Sequence, residues 1–138
     1  MITINATKGE LVNLINGLFA VRDLKGKNFS LVVSKNTIIL QKLLQDLEDA
    51  GRPAPEFLEV AQKVNEIANK NEDNAKDQID ELEKENQELV DARREQMNKV
   101  EEMMKEEASV ELHKLAEKSL PEEITAEQIN RIIKIIEE

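Results

Sequence analysis

The 138-residue sequence contains no cysteine, tryptophan or tyrosine, three phenylalanines, and a single histidine, His113. Without cysteine the chain forms neither disulfides nor thiolate metal sites, and it has no thiol nucleophile. One histidine leaves little for general acid–base chemistry near neutral pH. Because large aromatic residues are scarce, any core must consist of Leu, Ile, Val and Met. We therefore expect a protein that is not an enzyme, with no cofactor, no metal site and no catalytic residue.

Long apolar runs and a secretory signal are also missing. Apolar stretches such as Ile38–Leu40 are far too short to cross a bilayer. The first residues, Met1–Asn5, lack the basic-then-apolar pattern of a signal peptide. The four glycines are scattered and form no phosphate-binding loop. We expect a cytoplasmic protein with no membrane partner and no small-molecule substrate.

Charge is distributed unevenly along the chain, whose net charge is −10. Residues 1–44 carry six basic and two acidic side chains, whereas residues 45–138 carry 13 basic and 27 acidic ones. A chain-long basic surface is absent, so we expect no direct binding of nucleic acid. The basic first third could still dock on an anionic surface, and the acidic remainder could meet a basic partner.

The fold is predicted to be mainly α, with a helical hairpin over residues 1–52. Thr7 and Glu10 have the spacing of a capping box, which predicts a helix start there. Gly26 is expected to close this first helix in the left-handed conformation, and Ser30 to cap a second helix. The second helix should run to residue 47, before two prolines stop it.

Residues 53–107 are predicted to form long, charged, amphipathic helices that resemble a coiled coil. A helix should begin near Pro55, and the polar run 69–74 favours a break, with one unbroken helix over 56–107 as the alternative. The later apolar positions follow a seam with alternating steps of four and three, which then shifts to two fours, a stutter. The seam residues that we expect to bind a partner are Ile79, Leu82, Asn86, Leu89, Met97, Val100 and Met104. Ala75 and Arg93 are weak members of this seam, and a buried Asn86 would fix register and partner number.

Residues 108–138 are predicted to form a C-terminal segment with a short helix. The alternating pattern of residues 110–113 favours a strand that could pair with residues 2–5 in a small two-stranded ribbon. Thr125 and Gln128 form a second capping box at the start of the helix. The apolar face of this helix, a second candidate partner-binding surface, comprises Ile129, Ile132, Ile133 and Ile136.

A polar stretch over residues 69–80 has oxygen-bearing side chains at several positions of a calcium-binding loop. Asn74 stands where such a loop needs glycine, and Asp80 stands where it needs a bidentate glutamate. We therefore interpret the stretch as a solvated linker. His113 likewise lacks a carboxylate three or four residues before it, so we interpret it as a packing or surface residue.

Both ends of the chain carry short motifs that we consider together as one pattern. They are Leu11-x-x-Leu14-Ile15-x-x-Leu18, Lys25-Gly26-Lys27-Asn28-Phe29-Ser30, Ser34-Lys35-Asn36, Leu40-x-x-Leu43, Val110-Glu111-Leu112-His113-Lys114 and Leu120-Pro121-x-x-Ile124-x-x-Glu127-Gln128. In these motifs the chain resembles a group of uncharacterised short, helical, acidic proteins encoded by tailed bacteriophages. The resemblance implies a phage origin and a helical fold, and hence a location in the host cytoplasm or the virion. It leaves the activity open.

Two functions fit these patterns. The first is a structural or assembly protein that self-associates or joins another protein, because an apolar stripe on a charged helix needs a cover. The second is an acidic inhibitor that mimics nucleic acid and blocks a host nucleic-acid-binding enzyme or defence system, as the charge of residues 45–138 suggests.

Overall fold

The computed structural model describes residues 1–137, which fold into two compact units. Unit 1 combines Met1–Leu47 with the described part of Glu102–Glu138, and unit 2 is Glu48–Glu101. The boundaries of these two units differ from those of the three segments expected from the sequence, 1–52, 53–107 and 108–138. In the observed division, both ends of the chain belong to one unit.

The architecture is mainly helical, as predicted. Its helices are α1 (Lys8–Ala20), α2 (Lys27–Leu43), α3 (Gln45–Gly51), α4 (Pro55–Lys70), α5 (Ala75–Glu85), α6 (Gln87–Met104) and α7 (Ala126–Arg131). Its strands are β1 (Ile2–Thr7), β2 (Glu107–Leu112), β3 (Leu115–Ala116) and β4 (Ile136–Glu137). Two single 3₁₀ turns cover Glu117–Ser119 and Ile133–Ile135.

The predicted ribbon between the two ends of the chain is confirmed. Strands β1 and β2 pair antiparallel in a register that places Ile2 opposite Leu112 and Thr7 opposite Glu107. The ribbon extends beyond residues 2–5, to Thr7. Over this added part, exposed polar side chains still alternate with less exposed ones, as in the rest of the ribbon. A second pair, parallel β3 and β4, joins Leu115 to Ile136 and was not predicted.

The first helix begins as predicted, but the next boundary differs. Thr7 and Glu10 form the capping box that starts α1. Gly26 does not close α1, which ends at Ala20; it lies directly before α2 with φ 146° and ψ 118°. Ser30 is not a cap either, because its N–H already donates a helical bond to the Gly26 carbonyl at 2.8 Å. The prediction of a second helix starting after Ser30 is therefore wrong by one turn.

The C-terminal helix is shorter than predicted. Thr125 and Gln128 form the expected capping box, but α7 ends at Arg131. The chain then passes through a 3₁₀ turn into β4, whose pairing with β3 requires extended backbone. A helix that continues to Ile136 is therefore wrong, since it would remove that pairing.

The core lies almost entirely in unit 1. Of the nineteen buried apolar side chains among residues 1–137, seventeen belong to this unit. Helix α1 packs against α2 and α7, and it approaches α7 closely at Gly17. A Cβ atom at Gly17 would lie 2.8 Å from the Arg131 carbonyl oxygen, so this close approach requires glycine.

Asn36 on α2 is the one buried polar side chain among the described residues, with 0% exposure. Its Nδ2 donates to the His113 carbonyl oxygen at 2.9 Å, and its Oδ1 accepts from the His113 N–H at 2.7 Å. The amide thus pairs with the backbone between β2 and β3 as a neighbouring strand would. His113 contributes its backbone to this clamp, which was not foreseen from the sequence.

We expect Asn36→Leu to lower the free energy of unfolding by about 2–5 kcal/mol. The substitution leaves the N–H and C=O of His113 unpaired, and each buried unpaired group costs about 1–3 kcal/mol. Urea unfolding followed by circular dichroism measures the loss. Asn28→Leu, an exposed position on the same helix, is the matched control; equal stability of the two variants would contradict the clamp.

Candidate functional site

Unit 2 is built on a helical hairpin in which α4 packs against α5. The polar run 69–74 contains the turn between them, where Asn71 adopts the left-handed conformation with φ 53° and ψ 39°. Asparagine tolerates this conformation better than other non-glycine residues. The predicted break is confirmed, and one unbroken helix over 56–107 is excluded.

Polar contacts attach α6 to the link between α3 and α4. The Arg93 guanidinium donates to the Gly51 carbonyl at 2.9 Å, and the Gln96 amide donates to the carbonyls of Ala50 and Arg52 at 2.8 and 2.6 Å. Carbonyls at the end of a helix lack helical donors, so these side chains satisfy the end of α3. Arg93, a weak member of an apolar seam by sequence, is a polar anchor in the structure.

Unit 2 leaves much of its apolar surface incompletely covered. Val60 and Val100 are its two buried apolar side chains among the described residues. Leu58 remains 52% exposed and Met97 39% exposed. An open groove of about 240 Å³ lies between α4 and the following helices. It is lined by Phe57, Val60, Ala61, Val64, Asn65, Glu83 and Val90.

Two exposed apolar residues lie on the same faces of α4 and α6 as residues that line this groove. Leu58 precedes Ala61 by three residues on α4, and Met97 follows Val90 by seven on α6, so each shares a face with a groove residue. We call this surface the hairpin face. It comprises Phe57, Leu58, Ala61, Val64, Val90 and Met97.

The predicted seam is distributed differently from a single coiled-coil stripe. Ile79, Leu82 and Leu89 are half-buried, while Met97 is exposed and Val100 is buried. Asn86 is half-buried, and its amide donates to the Leu82 carbonyl at 2.9 Å. It separates α5 from α6 and does not form part of a helical seam. Met104, the last seam residue, is half-buried and belongs to unit 1.

The predicted C-terminal isoleucine face is not one surface. Ile132 is fully buried in the core of unit 1, so it is not available to a partner. Ile129 and Ile136 are half-buried, and Ile136 lies on β4. Only Ile133 of the four is largely exposed, at 53%. Helix α7 includes Ile129 but ends before Ile132, Ile133 and Ile136, so the four residues do not share the helical spacing that the sequence suggested.

Electrostatics differ between the two units. Unit 2 carries 16 acidic and 8 basic side chains, which gives a net charge of −8. In unit 1, the Lys134 ammonium donates to the Glu10 carboxylate at 2.8 Å. This hydrogen bond, together with those from Thr7, lowers the pKa of Glu10 below its ordinary value of 4.5. The ion pair joins α1 to the 3₁₀ turn at the C-terminal end.

Three comparisons with known proteins gave no match: no family model, no curated protein and no solved structure is similar to this chain. Within residues 1–137, no helix is both long and apolar enough to cross a membrane. In the same range, no three His, Cys, Asp or Glu side chains converge in a way that could hold a metal ion.

We expect Glu10→Gln to lower stability at neutral pH but not in acid. Because the folded-state pKa of Glu10 is lowered, its stabilising effect is present above pH 4.5 and is lost as pH falls through the folded pKa. Thermal melts of wild type and variant between pH 3 and pH 7 should therefore converge at low pH. Glu122→Gln, at an exposed position, is the control; a difference that persists unchanged at pH 3 would refute the pairing.

Gln96→Leu should destabilise unit 2 by about 1 kcal/mol, since two carbonyls at the end of α3 lose their donor. Hydrogen exchange of the amides in α3 and α6 should accelerate in the variant. The same substitution at the exposed Gln62 on α4 should leave exchange unchanged. Equal exchange in the two variants would show that the contacts contribute nothing.

Proposed function

We propose that this protein is a non-enzymatic interaction protein that binds another protein surface through the hairpin face, in a structural or assembly role. The distribution of burial carries the proposal. Unit 1 holds seventeen of nineteen buried apolar side chains, whereas the 54 residues of unit 2 hold two. Unit 2 therefore presents an apolar surface that its own chain leaves incompletely covered.

Covering this surface would be favourable. Complete burial of a Leu, Val or Met side chain contributes about 1.5–3 kcal/mol relative to exposure. Leu58 and Met97 retain 52% and 39% of their exposure, so a partner could gain part of that amount at each position. The groove beside them offers a concave apolar seat, which is the usual form of a site for an inserted side chain.

The resemblance of both chain ends to short phage proteins supports a phage origin for this interaction. In that setting the partner is a component of the particle or an assembly intermediate, and the protein acts in the host cytoplasm or the virion. The resemblance therefore supports the phage origin, and the hairpin face is the surface proposed to bind the partner.

The acid excess of unit 2 favours a second candidate, an inhibitor that mimics nucleic acid. Such an interaction would depend on charge and weaken steeply as salt increases. An interaction through the hairpin face would instead depend on Leu58 and Met97 and persist in salt, because apolar burial is not screened.

Affinity purification from expressing or infected cells, with mass spectrometry, tests the proposal. The double variant Leu58→Asp with Met97→Asp should lose the co-purifying protein, because it places two charges on the hairpin face. Ile133→Asp, at an isoleucine with the same degree of exposure in unit 1, is the matched control and should retain it.

Loss with Ile133→Asp alone would assign the contact to unit 1 and refute the role of the hairpin face. Retention by both variants, with loss only in high salt, would support the inhibitor instead. Circular dichroism of each variant should match that of wild type, since all three positions are exposed.

A further inference from the structure

Helix α2 carries an exposed stripe that alternates basic and apolar side chains. Its members recur at helical spacing and are all exposed: Lys27, Leu31, Lys35, Ile38 and Lys42. Leu31 and Ile38 are 51% and 54% exposed. We call this surface the α2 stripe. The stripe is basic, although the chain as a whole is acidic.

Within residues 1–137, no carboxylate forms an ion pair with a lysine of the α2 stripe. Helix α2 contains no acidic residue. Among the ion pairs of the described chain, none includes Lys27, Lys35 or Lys42. Three positive charges therefore face solvent along about 22 Å of helix, at about 1.5 Å per residue.

The opposite face of α2 fixes the orientation of the stripe. Phe29, Val33 and Leu40 are buried in the core, and Asn36 is bonded to the His113 backbone. The helix cannot rotate to bury Leu31 or Ile38 without breaking these contacts. Any cover for the stripe must come from another molecule or another surface.

We propose that the α2 stripe of one copy docks on the hairpin face of a second copy. The inference rests on the proposed function and names the partner of the same face. The stripe is basic and unit 2 has a net charge of −8, with Glu83 in the groove wall beside Phe57. Both surfaces expose a large aliphatic side chain, so charge and apolar surface match together.

The dimensions of the two surfaces agree as well. Helix α2 has 17 residues and α4 has 16, which gives lengths of about 25 and 24 Å at 1.5 Å per residue. Ile38 or Leu31 could enter the groove of about 240 Å³ while the flanking lysines meet carboxylates of α4 and α5. Helix-in-groove recognition uses such regularly spaced apolar residues.

An anionic membrane or a nucleic acid fits the stripe less well. Two aliphatic side chains bury too little area to hold a helix whose other face is fixed in a core. Unit 2 of a second copy has a net charge of −8, which is opposite in sign to the lysines of the stripe.

Such a contact joins two different surfaces, so it is heterologous. After one such contact forms, one copy still has a free hairpin face and the other still has a free stripe. Association then continues into a ring or an open polymer, and does not stop at a dimer unless the rotation closes. This behaviour suits an assembly component, and it predicts a distinctive mixing experiment.

Sedimentation velocity of the full chain tests the proposal. The wild-type sedimentation coefficient should rise with protein concentration and fall only in part when salt is increased, because salt screens the lysine–carboxylate attraction but not the apolar burial. Ile38→Asp and Leu58→Asp should each remain monomeric, with association at least about tenfold weaker, because each places a carboxylate in an apolar contact. A mixture of the two should form a one-to-one dimer, since one variant retains an intact hairpin face and the other an intact stripe. Ile133→Asp should assemble as wild type does.

A wild-type chain that stays monomeric at all concentrations, or a mixture that forms no dimer, would overturn the proposal. Binding of the wild type, but not of Ile38→Asp, to phosphatidylserine vesicles or single-stranded DNA without self-association would assign the stripe to those surfaces instead. If a different protein is captured through Leu58 and Met97 while self-association is absent, the proposed function stands. Docking of the α2 stripe on the hairpin face of a second copy is then refuted. Circular dichroism confirms that each variant is folded.

Discussion

The structure depends on one pair of hydrogen bonds, between the Asn36 amide and the backbone of His113. They join residues 77 positions apart, and the amide is completely buried. A buried amide is costly unless both of its ends are paired, so a shift of α2 in either direction leaves polar groups without partners. The bond falls between β2 and β3, and each of those strands pairs with a segment near one end of the chain. The Asn36 clamp therefore fixes the position of α2 against the strands that close unit 1.

The two units are stabilised by different interactions. Unit 1 is stabilised by a dense aliphatic core that both ends of the chain contribute. Unit 2 gains less from burial, and it relies on the α4 and α5 pairing together with the polar anchors Arg93 and Gln96. Hydrogen bonds at helix ends fix geometry without covering apolar side chains. The incomplete cover of the hairpin face thus follows from how unit 2 is held together.

Local signals in the sequence predicted the parts of the fold that local chemistry decides. The two capping boxes, the break after Lys70 and the alternating pattern of each ribbon strand follow from residue types within a few positions of each other. Long-range pairings decided the remainder. The seam looked continuous because its spacing is helical, yet Asn86 bonds back to Leu82 and separates two helices. Ile132 looked like a surface residue because the helix was extended past Arg131, whereas β4 pairing turns it inward. Asn36 gave no signal at all, since a buried asparagine and an exposed one look alike in a helical pattern.

The same clamp that closes the core also determines what α2 can do outside it. Because Asn36 fixes one face of the helix inward, the opposite face has a defined direction and a defined set of side chains. The basic stripe belongs to unit 1 and the acidic hairpin to unit 2, so the two units differ in charge and in apolar exposure. Asymmetric partners of this kind favour contacts between unlike surfaces over contacts between like ones, since like surfaces would place equal charges together. The proposed contact between copies would therefore join unlike surfaces, and the uneven charge distribution of the chain would give that contact its direction.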